Sequence, residues 1–124
     1  MIEAKIIEVG NEAYQPEDNM LILFGPKATA ELKPYAIIQE IPDRYGISLK
    51  EGDSLVLGEQ TYTIEHVGRL AAKNLQEIAH TVLLFAPVPG EVNIPNGIYL
   101  FPYALPQLKA GDQIIYPGGV NHGA

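Results

Sequence analysis

The sequence has no cysteine and no tryptophan among its 124 residues. Without Cys there can be no disulfide, no thiolate metal site and no thiol nucleophile. Cations are scarce as well. Eight Lys+Arg stand against fifteen Asp+Glu, for a formal net charge of −7. A grip on nucleic acid or on an anionic membrane surface needs clustered Lys/Arg, so neither partner is expected. Long apolar runs are missing too. Stretches such as Thr81–Pro89 fall far short of the ~20 residues of a membrane helix, so direct membrane insertion is not expected. The opening segment Met1–Gly10 carries Glu3, Lys5 and Glu8 and lacks the basic and apolar regions of a signal peptide. These absences point to a cytoplasmic protein. No Walker, dinucleotide, zincin or nucleophile-elbow motif occurs, and no His or carboxylate group has metal-ligand spacing. Neither a cofactor nor a metal is expected.

What the chain does have is punctuation. Twelve Gly and ten Pro are spread along it, with short apolar runs between them, which is the pattern of many short strands. The expected strands are Ala4–Val9, Met20–Phe24, Tyr35–Ile41, Ser54–Leu57, Gln60–Val67, Thr81–Phe85, Gly97–Phe101 and Gln113–Tyr116. Gly58-Glu59 reads as a tight hairpin turn. Leu70–Ala79 instead holds good helix formers. It places Ala71, Leu75, Ile78 and Ala79 on one face, and Lys73 and Glu77 four apart on the other, where they can pair. One helical turn over Glu31–Lys33 precedes Pro34. The phrase L-K-x-G-D occurs twice, at Leu49–Asp53 and Leu108–Asp112. We read both as turn chemistry, with Gly at positive φ, and not as a repeat. The expected architecture is all-β: a small barrel or sandwich with one short helix inserted near residues 70–79, in a single domain over 1–124. A homodimer formed by edge pairing or strand exchange is compatible with such strands.

The candidate chemistry rests on three histidines. His66 lies in a strand with Tyr62 and Ile64 on its side, which suits a partly buried His bonded to backbone. His80 follows the helix, where the dipole favours a cation and a capping role. His122 sits in a Gly-rich tail. Glu40 and Asp43 are close in sequence, but that spacing has no catalytic signature. From these residues alone, the chain is an acidic β-domain without an evident active site.

A longer pattern says more. Leu57-Gly58, Tyr62, Val67-Gly68, Asn74-Leu75-Gln76-Glu77, His80 and Phe85 resemble the glucitol/sorbitol-specific IIA component of the phosphoenolpyruvate-dependent sugar phosphotransferase system. The likeness extends to Met20–Phe24, Tyr35–Ile38, Gly97, Pro106 and Gly111. It implies a cytoplasmic phosphocarrier of the transferase class. Such a protein takes a phosphoryl group from the general phosphocarrier protein onto a His and passes it to the IIB part of a IIB/IIC sugar permease. The resemblance places the family's phosphoryl-accepting His at Gln39, and a second His of some members at Ile41. An amide nitrogen has its lone pair delocalised and cannot be the nucleophile. Two readings follow. In one, His80 carries the phosphoryl group. In the other, the chain is a non-phosphorylated IIA-like binding or regulatory protein, with Gln39 as a polar anchor.

Overall fold

The computed structural model describes residues 1–15, 17–91 and 94–118, so His122 lies outside the described residues. Eight strands form: β1 (Ile2–Val9), β2 (Met20–Phe24), β3 (Ile37–Glu40), β4 (Ser54–Leu57), β5 (Gln60–Val67), β6 (Thr81–Leu84), β7 (Gly97–Phe101) and β8 (Gln113–Tyr116). They close into a barrel in the order β1-β3-β2-β6-β7-β5-β4-β8. Closure gives every strand two neighbours, which is how a small barrel protects its edges. One helix, α1 (Ala71–Ile78), connects β5 to β6. Among the described residues no helix is long and apolar enough to cross a membrane.

The strands follow the apolar runs because alternate residues fill the barrel. Ile2, Ala4 and Ile6 of β1 are buried, as are Leu21 and Leu23 of β2, Tyr62 and Ile64 of β5, and Ile114 and Tyr116 of β8. Three local expectations change. Tyr35 is 54% exposed and belongs to a 3-10 turn over Lys33–Tyr35, so β3 starts later and the helical turn, expected over Glu31–Lys33 ahead of Pro34, instead starts at Lys33 and runs through Pro34. Ile78 is exposed while Ala71, Leu75 and Ala79 are buried, because α1 ends there and Ala79 turns left-handed (φ 56°) to start the path into β6. Lys73 and Glu77 do not pair. Among the described residues the charge pairs within 4.0 Å are His66–Glu51 and Lys109–Asp112.

The pairing pattern shows an internal duplication. β1 pairs antiparallel with β3, and β5 with β7, each ladder interrupted by a bulge (between Ile6 and Glu8, and between Ile64 and His66). β2 lies parallel to β3, and β6 parallel to β7. Parallel neighbours need a crossover of about a dozen residues, and residues 25–36 and 85–96 supply twelve each. The two halves β1–β4 and β5–β8 are thus topologically equivalent. The L-K-x-G-D phrases occupy matching places. Gly52 (φ 92°) and Gly111 (φ 98°) both have positive φ, as expected. Gly52 N–H donates to Ile64 and Gly111 N–H to Ile6, each at 2.8 Å. The phrases are turn chemistry, as expected, but they also mark equivalent positions of a repeat, which corrects the expectation that they are not one.

Candidate functional site

β3 directs Gln39 into the barrel, opposite Ile6 of β1. Its side chain is fully buried. The amide Nε2 donates to the Ala79 carbonyl at 3.0 Å, and Oε1 accepts from the Tyr116 hydroxyl at 2.6 Å. Burial pushes the Tyr116 phenol well above its ordinary range, against a smaller opposite effect of the Gln39 bond. Tyr116 therefore stays neutral and donates. Gln39 ties β3, β8 and the end of α1 together.

The duplication provides an internal control. By the matching registers, Gln39 corresponds to Leu100, since Ile6 pairs with one and Ile64 with the other. Tyr116 corresponds to Leu57 at the ends of β8 and β4. Both counterparts are buried leucines. The barrel wall accepts apolar residues at this level, so the polar pair is a feature of one half and not a demand of the fold.

His80 is held separately. Its Nδ1 lies 3.0 Å from the Leu23 carbonyl, which requires a proton on Nδ1 in the neutral ring and leaves the lone pair on Nε2. That lone pair meets the Asn96 amide nitrogen at 2.8 Å. The ring stacks on Phe24 with centroids 4.0 Å apart. Its backbone N–H, not its ring, bonds back to Asn74 of α1. His66 is displaced from strict alternation by the β5 bulge. It lies 3.7 Å from the Glu51 carboxylate and edge-on to Tyr99, rather than bonded to backbone.

A cleft of about 420 Å³ opens beside this region. The Gly25–Ala28 turn, Glu40 and Ile41 at the end of β3, Arg44, and Glu77–Ala79 at the end of α1 form its walls. Neither the Gln39 nor the His80 side chain lines it; Ile41 does. The two sequence candidates therefore do not converge on a common cavity, and Gln39 is a saturated core group instead of an anchor facing a ligand. Glu40 reaches the cleft, whereas the Asp43 carboxylate sits against Gly46. Sequence reasoning missed Tyr116, Asn96, Lys27 and Arg44. Each comes from a segment distant from the others and has no motif around it. Among the described residues no three His, Asp or Glu are placed to hold a metal ion.

The family model for the glucitol/sorbitol-specific IIA component of the phosphotransferase system matches residues 1–115. The chain belongs to the glucitol/sorbitol-specific IIA family. A crystal structure of a phosphotransferase-system IIA component from Enterococcus faecalis V583 is similar to it at 43% sequence identity, with a TM-score of 0.89 over 92% of this chain and 98% of that one. Among curated proteins none matches. In this IIA-family barrel, His80→Ala is expected to lower stability by about 1–3 kcal/mol. It removes a stack and leaves the Leu23 carbonyl and the Asn96 amide without their partner. Urea denaturation measures this, and a change below about 0.5 kcal/mol would show the ring to be structurally idle.

Proposed function

We propose that this IIA-family protein works in the cytoplasm by docking to components of the sugar phosphotransferase system, the general phosphocarrier protein and the IIB part of a polyol permease, without carrying a phosphoryl group itself. The observation that carries this reading is Gln39. It stands where the resemblance puts the phosphoryl-accepting His, it has no nucleophilic nitrogen, and both ends of its amide are already engaged in the barrel interior. The acidic chain, at −7, favours encounter with a basic patch on a partner.

A second reading has one observation in its favour. The Leu23 carbonyl leaves the lone pair of His80 on Nε2, the form a phosphoryl acceptor needs. In that relay the N–P bond of the donor phosphohistidine breaks and an Nε2–P bond forms. The proton stays on Nδ1, donated to the Leu23 carbonyl, and the Asn96 amide must leave Nε2 first.

One experiment separates the two. The chain is incubated with phosphoenolpyruvate and the two general phosphotransferase proteins, and its intact mass is read. We expect no mass gain, together with measurable IIB binding by calorimetry. Gain of one phosphoryl group, abolished by His80→Ala in protein shown to be folded, would establish the relay instead.

A further inference from the structure

The cleft combines groups that the docking role does not use. Lys27 and Arg44 line it from two different loops, and Glu40 and Glu77 from β3 and α1. Among the described residues, none of these four charges lies within 4.0 Å of an opposite charge. Arg44 is steadied by the Tyr45 ring, 5.9 Å from its guanidinium carbon. Phe24, Ile41 and Ala79 supply an apolar floor. Gly25 keeps the space open: a Cβ there would come within 3.0 Å of the Ala79 Cβ and 3.3 Å of the Ile78 carbonyl oxygen. The volume, about 420 Å³, lies within the usual small-molecule range.

We propose that this cleft binds a small phosphorylated polyol. The two cations suit a phosphate, which takes charge-assisted bonds from both at once. The acceptors are several and come from two elements: the Glu40 carboxylate from β3, and the Glu77 carboxylate with the carbonyl end of α1. Acceptors distributed in this way match a row of hydroxyl donors better than they match one ammonium group. The C–H face of the polyol chain then lies on the apolar floor. The site extends the docking function without depending on it, since docking is read with IIB and this site with the chain alone.

The test is calorimetric titration of the purified chain with sorbitol 6-phosphate, sorbitol and inorganic phosphate, located by amide shifts of Gly25, Ile41 and Ala79. We expect one-to-one binding of sorbitol 6-phosphate, with sorbitol and inorganic phosphate at least about tenfold weaker. The variant Lys27→Ala/Arg44→Ala, which removes an exposed lysine and a half-buried arginine, should, in protein shown to be folded, weaken binding by roughly tenfold or more. Glu40→Gln/Glu77→Gln should narrow the preference for sorbitol 6-phosphate over inorganic phosphate. No binding at millimolar ligand would overturn the proposal. So would equal affinity for inorganic phosphate, or unchanged affinity in the Lys27/Arg44 variant. Retained IIB binding beside a null titration would remove this site alone.

Discussion

Replacing Gln39 with Leu should destabilise the protein by about 2–5 kcal/mol, although leucine is the more apolar residue and similar in size. The substitution leaves two buried groups unpaired, the Tyr116 hydroxyl and the Ala79 carbonyl. Each costs roughly 1–3 kcal/mol when stranded away from water. Buried leucine returns part of this through added apolar burial. The double variant Gln39→Leu/Tyr116→Phe removes one of the stranded groups together with its partner. It should therefore be more stable than Gln39→Leu alone, by about 1–2 kcal/mol. Leu100 and Leu57 at the equivalent positions of the other half show why this recovery is expected: the barrel packs well there without polar groups. Urea midpoints at unchanged slope provide the measurement. A single variant within about 1 kcal/mol of wild type would refute this account of Gln39. A double variant less stable than the single would refute it too.

The strands were legible because each apolar run is bounded by Gly, Pro, Asn or Asp, and burial in a small barrel enforces that alternation. Met20–Phe24, Ser54–Leu57, Gln60–Val67, Gly97–Phe101 and Gln113–Tyr116 form as the pattern indicates. The departures have local causes. Pro34 holds Tyr35 in a 3-10 turn, so an aromatic residue that reads as strand is exposed. Ile78 continues the apolar face of α1 but reaches the cleft where the helix stops. The choice between barrel and sandwich required the closing pair β1/β8, which joins the two ends of the chain and leaves no local mark. The site was less legible still. Position 39 was marked by the family resemblance and not by any physical signal. Its bonds are to Ala79 and Tyr116, 40 and 77 residues away, and no spacing rule spans such distances. The four charges of the cleft come from four segments and become a set only when the barrel closes. The duplication was hidden for a different reason. Side chains in the two halves have diverged, as Gln39 and Leu100 show, and what persists is backbone chemistry.

That backbone chemistry makes the last prediction the most severe. Gly68→Ala should cost about 2–4 kcal/mol, and Gly10→Ala a similar amount. Each glycine ends the first strand of its half, after Val67 or Val9, and each packs against the returning crossover. Gly68 N–H donates to Gly97 at 2.8 Å, and Gly10 N–H to Ala36 at 2.9 Å. A Cβ on Gly68 would lie 2.3 Å from the Pro95 carbonyl oxygen. On Gly10 it would lie 2.3 Å from the carbonyl oxygens of both Lys33 and Pro34. These obstacles are backbone, so no rotamer change relieves them; the crossover must shift and strain its bonds to the barrel. Two further glycines calibrate the effect. Gly52 faces open space but has φ 92°, so Gly52→Ala should cost about 1–2 kcal/mol from backbone strain alone. Gly90 faces open space without positive φ, and Gly90→Ala should stay within about 0.5 kcal/mol of wild type. Thermal and urea denaturation of the four variants should give that order. If Gly68→Ala and Gly10→Ala were no worse than Gly90→Ala, the crossovers would not be seated against β1 and β5 as described. The shared Val-Gly pair would then need another explanation. If the two differed widely from each other, the halves would be equivalent in topology but not in how their crossovers bear load, and α1, present only in the second half, would be the first place to look for the difference.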